Sequence, residues 1–271
     1  MGWWYTFMTR GIGVPLFRGV LRTTVIGAET VPPAGPAIIA FNHFGGVDIL
    51  VIPALLPRPV AIAAKAELFE ARGVKRLLSW WLRSMGQVPM DRQGGGAALA
   101  GLTPMARILQ AGGVVGIAPE GTRSPDGRIY RGHTGVARLA LATGAPVYPI
   151  GTRNTRIRRR LFWPTLRDAS FVVGPPLDFS PWRGQADDPA VWRWATDAVM
   201  TALQAINGLP YLDVYATRVK KGEITGAALE AYVRPHPGGG TAPPPTDAEL
   251  AAARAADVPP TGVEAPPEAR P

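Results

Sequence analysis

Pro36-Ala37-Ile38-Ile39-Ala40-Phe41-Asn42-His43-Phe44-Gly45-Gly46-Val47-Asp48 is the stretch on which the reading of the fold turns. Ala37 to Phe41 is a short apolar run bounded by Pro36, the signature of a buried strand. The run ends at Asn42-His43, passes through a Gly-Gly turn and reaches Asp48 just ahead of the apolar residues Ile49 to Ile52. Asp48 therefore stands where a helix N-cap is expected. An imidazole at a strand end and a carboxylate at the next helix start can face each other across one tight turn. One ring nitrogen is then oriented by the carboxylate and the other is left for general-base work. The same pair also reads as a structural hydrogen bond with Asp48 a plain cap. The position outside a strand's carboxyl end is where open α/β sheets hold ligands.

Downstream the pattern repeats. Asp48 to Leu56 reads as a helix, Val60 to Lys65 as a strand, Leu68 to Ser84 as a basic helix and Gly86 to Arg92 as a short strand ending in charge. Ala97 to Ala111 reads as a helix with Pro104 awkward in its interior, then Gly113 to Pro119 as a strand. A helix over 134–143 and strands at Val147–Ile150 and Ala169–Gly174 follow, closed by a helix from Ala190 to Ile206. Alternation of this kind predicts an α/β fold, a layered α-β-α domain with a mostly parallel or mixed central sheet. The expected organisation is N-terminal interfacial helices over 1–26, the α/β domain over 27–235 and a disordered tail over 236–271. That tail is dominated by Gly and Pro and has too little apolar surface to order itself.

Composition narrows the function. The 271 residues contain no Cys, which excludes disulfides, thiolate nucleophiles and Cys-ligated zinc. His43, His133 and His236 are the only histidines, so no metal site is expected. The net charge is +9, and the tail is itself acidic, so the body is more basic still. An anionic partner follows: a membrane surface, a phosphorylated substrate or nucleic acid. The basic run Arg153 to Arg160 beside Phe162 and Trp163 reads as a solvated loop or membrane-facing patch, and nucleic acid is not expected as a partner. Gly96 and Gly101 have phosphate-loop spacing, but Leu102 replaces the required Lys.

No apolar run is long enough to cross a bilayer, and the N-terminus lacks the basic region and cleavage signal of a secretory leader. Residues 2–24 combine Trp3, Trp4, Tyr5 and Phe7 with Arg10, Arg18 and Arg22, which suits an anionic headgroup boundary. Gly11, Gly13 and Pro15 should divide this segment into two short helices. The competing reading is a helix packed on the domain's own core. The expected location is peripheral, on the cytoplasmic face of the cell membrane.

Four strand-end segments carry the chemistry: Asn42-His43-x4-Asp48, Gly86 to Arg92, Pro119-Glu120-Gly121-Thr122-Arg123-Ser124, and Ala145 to Ile150 with its two prolines. If the strands are neighbours, one crevice holds a His/Asp pair, two arginines suited to a phosphate monoester, and a Gly turn. At these residues the sequence resembles the glycerolipid acyltransferases, the family that includes 1-acyl-sn-glycerol-3-phosphate acyltransferase. The family's four blocks occur in order between residues 42 and 150, with flanking likeness from Gly27 to Gly174.

The resemblance implies acyl transfer from an acyl thioester, on coenzyme A or acyl carrier protein, to the free hydroxyl of 1-acyl-glycerol-3-phosphate, forming phosphatidate. It implies no cofactor beyond that co-substrate. It maps the base onto His43 and its orienting acid onto Asp48, and phosphate recognition onto Arg92, Glu120, Gly121, Thr122 and Arg123. Another lysolipid or glycolipid acceptor, a thioesterase and a non-catalytic lipid-binding protein are the alternatives. The chain departs from the family at the second position after the His, commonly Ser and here Gly45. That departure is expected to remove a hydroxyl contact and loosen the turn.

Overall fold

The structure, a computed structural model, describes residues 2–70, 75–90, 96–155, 158–160, 163–165 and 169–256. Twelve strands are described in chain order: β1 (Thr24–Ile26), β2 (Ala37–Phe41), β3 (Val60–Lys65), β4 (Val88–Met90), β5 (Val114–Ile117) and β6 (Ile129–Tyr130), then β7 (Val147–Arg153), β8 (Arg158–Arg160), β9 (Trp163–Thr165), β10 (Ser170–Val173), β11 (Tyr211–Leu212) and β12 (Val233–Arg234). Seven form the main sheet in the order β1-β10-β7-β2-β5-β3-β4. From β7 to β4 every pairing is parallel, while β10 runs antiparallel to β7 and carries β1 parallel to itself. The expected α/β fold with a mostly parallel sheet is what the chain adopts. All five parallel strands deliver their carboxyl ends to one edge.

β2 runs through the middle and is buried along its whole length. Alternate side chains go to opposite faces. Ile38 and Ala40 join the core made with α4 (Gly96–Gln110), α5 (Gly135–Thr143) and α6 (Pro189–Asn207). Ala37, Ile39 and Phe41 join the core made with α2 (Asp48–Leu55) and Phe17 of the N-terminal helix. Helices on both faces of a parallel sheet follow from an apolar run that must bury both of its sides.

Four expectations change. Residues 3–20 form one uninterrupted helix, starting at α1 (Trp3–Thr6) and winding wide thereafter. Val14 N–H donates to Thr9 O and Leu21 N–H to Leu16 O, spacings of five residues, and this winding accommodates Pro15 without a break. The sheet begins at Thr24, so β1 belongs to the domain rather than to an N-terminal appendage. The helix expected from Leu68 is one tight turn at Ala66–Leu68, with α3 running over Lys75–Ser84.

The tail is the fourth. Residues 236–256 are ordered against the body, because a proline-rich segment offers carbonyls that its neighbours' donors can use. Trp182 Nε1–H donates to Pro244 O (2.8 Å) and Gly184 N–H to the Asp247 carboxylate (2.6 Å). The remainder of the expected disordered tail lies outside the described residues.

A smaller layer had no counterpart in the sequence reading. β11 pairs parallel with β6 and antiparallel with β12, over a core of Tyr130, Leu212, Val214, Ala216, Ile224 and Leu229.

Candidate active site

The carboxyl ends of β2, β5 and β7 meet at one edge. Asn42, the first residue beyond β2, locks that strand to β7 and α6. Its side chain donates to Thr152 O (2.9 Å) and accepts from Thr152 N–H (2.7 Å) and Asn207 Nδ2 (3.0 Å), all out of contact with water. His43 follows with its backbone already fixed.

His43 Nδ1 lies 2.9 Å from Asp48 Oδ2, and the same oxygen accepts the backbone N–H groups of Phe44 and Gly45 at 3.0 Å each. Asp48 was expected to cap α2. It is instead the first residue of that helix, and its carboxylate turns back onto the preceding turn. It is wholly buried, whereas the His43 side chain is 16% exposed. With Nδ1 held by Asp48, Nε2 is the nitrogen left over. This arrangement can orient an imidazole and stabilise its protonated form.

The third block is tied to the first. Ser124 N–H donates to His43 O at 2.7 Å, and Ser124 Oγ donates to Arg128 O at 2.8 Å. Arg123 is exposed, and its Nη1 comes within 3.7 Å of the point where a Cβ on Gly46 would sit. The guanidinium therefore lies over the His43–Asp48 turn. Gly121 adopts φ +69°, a left-handed conformation that favours glycine, and a Cβ there would meet the His133 ring at 3.0 Å. Thr122 Oγ1 accepts from Lys220 Nζ at 2.8 Å.

Glu120 corrects an expectation. It has no exposed surface, Tyr130 N–H reaches its Oε1 at 3.4 Å, and Oε2 has no partner among the described residues. Burial pushes its carboxyl well above the ordinary carboxylate range, the Tyr130 N–H and Lys220 pull it back, and Asp126 and Asp48 add to the rise. With no exposed surface and its neutral form favoured by burial, Glu120 lies as a brace beneath the turn rather than open at it.

The second block lies further off, since β4 is separated from β2 by β5 and β3. Arg92 lies outside the described residues. Among the described residues no group of three His, Asp or Glu side chains is placed to hold a metal ion.

Gly45 also differs from expectation. A Cβ there would overlap the carbonyl oxygen of Thr155 beyond β7. The turn is tight because of its glycine.

The N-terminal aromatics divide. Trp3 is 77% and Phe7 48% exposed, and Ile12, Leu16 and Val20 continue their apolar strip. Trp4 is half-buried, donating to Ser84 Oγ (3.2 Å) with its ring 6.0 Å from Trp80. Tyr5, grouped with the membrane-contacting residues, is a core residue: it is 3% exposed, and its hydroxyl accepts Val60 N–H at 3.0 Å. A helix packed on α2 must send one of its aromatics inward. Among the described residues no helix is long and apolar enough to cross a membrane.

Sequence reasoning missed Asn42 as a lock and Lys220 altogether. An Asn directly after an apolar strand was a usable signal for the first. Nothing local marks the second.

Residues 22–153 match the sequence model of the family described as Acyltransferase. Among curated proteins, the chain is 28% identical over 153 residues to the 1-acyl-sn-glycerol-3-phosphate acyltransferase of Borreliella burgdorferi, covering 56% of this chain and 59% of that protein. It is 32% identical over 131 residues to the human 1-acyl-sn-glycerol-3-phosphate acyltransferase alpha, covering 48% and 45% of the two chains. The chain thus spans about half the length of these curated relatives. The Bacillus subtilis 1-acyl-sn-glycerol-3-phosphate acyltransferase is 29% identical over 176 residues, 64% of this chain and 82% of that one. The crystal structure of the 1-acyl-sn-glycerophosphate (LPA) acyltransferase PlsC from Thermotoga maritima superposes with a TM-score of 0.51 at 23% identity, covering 68% and 71% of the two chains. That likeness bears on the fold.

Proposed function

We propose, from the match of residues 22–153 to the acyltransferase sequence model, that this chain transfers an acyl group from an acyl thioester to the free hydroxyl of 1-acyl-glycerol-3-phosphate. His43 is the general base and Asp48 its orienting partner. Nε2 takes the acceptor's hydroxyl proton as the oxygen attacks the thioester carbonyl. Asp48 holds the Nδ1 proton and stabilises the imidazolium that forms. The tetrahedral intermediate collapses with loss of the thiolate, which receives the proton from Nε2. The products are phosphatidate and free thiol, and His43 returns to its starting state.

The observation that carries this reading is the position of His43. Its Nδ1 is held at 2.9 Å by a buried carboxylate, its ring is partly open, and the Arg123 guanidinium lies over the same turn. Arg123, with the backbone at Gly121 and Thr122, is assigned the acceptor phosphate, which a guanidinium fork fits well. Arg92 keeps the phosphate role implied by the resemblance. The donor is an acyl-coenzyme A or an acyl carrier protein thioester.

The surface on which this happens is an anionic membrane, approached peripherally from the cytoplasmic side. The exposed strip Trp3, Phe7, Ile12, Leu16 and Val20 is joined by Leu77 and Trp80 of α3, on a chain of net charge +9. The test is release of free thiol from an acyl thioester by purified protein, with and without lysophosphatidate. Thiol release that requires the acceptor and is lost in His43→Ala with the fold intact supports transfer. Release independent of any acceptor means a thioesterase, and lysophosphatidate binding without turnover across several donors means a binding protein.

A further inference from the structure

Beyond the segment that matches the family, the chain returns one cation to the site. α7 (Ala216–Lys220) ends at Lys220, and its Nζ donates to Thr122 Oγ1 at 2.8 Å across 98 residues of sequence. The placement is built rather than incidental. β11 pairs with β6, which follows the Gly121–Ser124 turn by a few residues, and Arg131 N–H donates to Val214 O at 3.1 Å. The Tyr215 ring then stacks on His133 with centroids 4.4 Å apart and planes 11° from parallel. Arg131 closes this contact from the side, 5.7 Å over the Tyr215 ring while paired with Asp213 at 3.1 Å. Ala216, the first residue of α7, is fully buried beneath. α7 is therefore anchored at its start, and its last residue is aimed at the turn.

Thr122 sits between two cations, Arg123 next in sequence and Lys220 across the layer. Burial of Glu120 beneath them favours its neutral form and so weakens any opposing negative charge at the turn. A phosphate monoester carries about 1.5 to 2 negative charges near neutrality. A guanidinium fork together with a mobile ammonium suits such a group.

We propose that Lys220 is a specificity-determining residue for the acceptor, binding the phosphate of lysophosphatidate together with Arg123. This rests on the acceptor reading given above. The lysine selects for a phosphorylated over a neutral glycerolipid and takes no part in proton transfer.

The test is equilibrium binding of lysophosphatidate, and of the monoacylglycerol with the same acyl chain, to the full chain without an acyl donor. Wild type is compared with Lys220→Ala, Lys220→Met and Lys220→Arg, each checked for an unchanged unfolding midpoint. The expected result is a loss of lysophosphatidate affinity of about ten- to a hundred-fold in the Ala and Met variants, the range for one hydrogen bond to a charged group. Affinity for the neutral lipid stays put, and Lys220→Arg recovers much of the loss. In turnover the defect falls in KM more than in kcat. Discrimination that survives Lys220→Ala, or equal loss for both lipids, overturns the lysine's role and leaves the acceptor reading standing. A wild-type chain that binds lysophosphatidate no better than monoacylglycerol overturns both.

Discussion

The backbone of Gly45 lies so close to the carbonyl oxygen of Thr155 that a side chain at position 45 has no room. The neighbouring Gly46 is different, since a Cβ there would find only Arg123 Nη1 at 3.7 Å. The obstacle at position 45 is backbone, and the chain carrying Thr155 would have to move. Gly45→Ala or Gly45→Ser should therefore cost about 1–3 kcal/mol. For a domain of this size that lowers the thermal midpoint by about 2–4 °C per kcal/mol. Gly46→Ala should leave the midpoint near wild type. Thermal melts followed by circular dichroism separate the two, and equal melts for all three variants would contradict the close approach.

Asp48 Oδ2 takes three hydrogen bonds while Oδ1 has no partner among the described residues. In Asp48→Asn the new amide group would occupy that second position with nothing to donate to. An orphaned buried donor costs about 1–3 kcal/mol. The variant should lose stability, and it should lose rate because the imidazolium is no longer stabilised. His43→Ala should keep the fold, at a cost in stability from the hydrogen bond that buried Asp48 loses, and lose acceptor-dependent thiol release by about 10²–10⁴-fold. Urea unfolding and a thiol-release assay on the same preparations give both readouts. A His43→Ala enzyme with near wild-type turnover would remove the base assignment.

Burial raises the Glu120 carboxyl well above its ordinary value of 4.5, so the folded state keeps its proton where the unfolded chain has lost it. The folded state binds more protons over that interval, and stability must fall as pH rises from about 4.5 through the raised folded value. Glu120→Gln has no proton to release. Its stability should fall less steeply than that of wild type as pH rises from about 5 to about 8. Urea midpoints measured across that range test the sign. A wild type that gains stability with pH relative to the variant would refute it.

Tyr5 and Trp3 lie two residues apart and should respond in opposite ways. Tyr5 is buried with its hydroxyl taking Val60 N–H, whereas Trp3 is largely exposed. Tyr5→Ala should destabilise the fold by about 3–5 kcal/mol, as large buried aromatics do. Trp3→Ala with Phe7→Ala should leave the melt unchanged and weaken partition onto anionic vesicles. Sedimentation with vesicles of anionic and of neutral lipid measures the second effect. Unaltered vesicle binding by the double variant would remove this strip from the membrane contact.

Much of the site was legible because its signals are local. The apolar run 37–41 states a strand, and Asp48, five residues after His43, can reach it through one turn whatever surrounds them. The single crevice rested on the strands of all four segments being neighbours. The sheet order places β2 beside β5 and β7, which brings Ser124 to His43, but separates β4 from β2 by β5 and β3. The burial of Glu120, to which the resemblance assigned phosphate recognition, could not be read from the sequence, because burial is a property of the layers packed around it.

The sequence alone determined that strands alternate with helices, that a His and an Asp flank a glycine turn, and that arginines gather near strand ends. Tertiary structure decided the rest: that Tyr5 faces inward, that Gly45 is pressed on Thr155, that residues 236–256 lie ordered against the body, and that Lys220 meets Thr122. The reason is physical. Periodicity and turn chemistry act over a few residues, but which face of an element is buried, and which distant backbone closes against it, is settled only when the layers pack together.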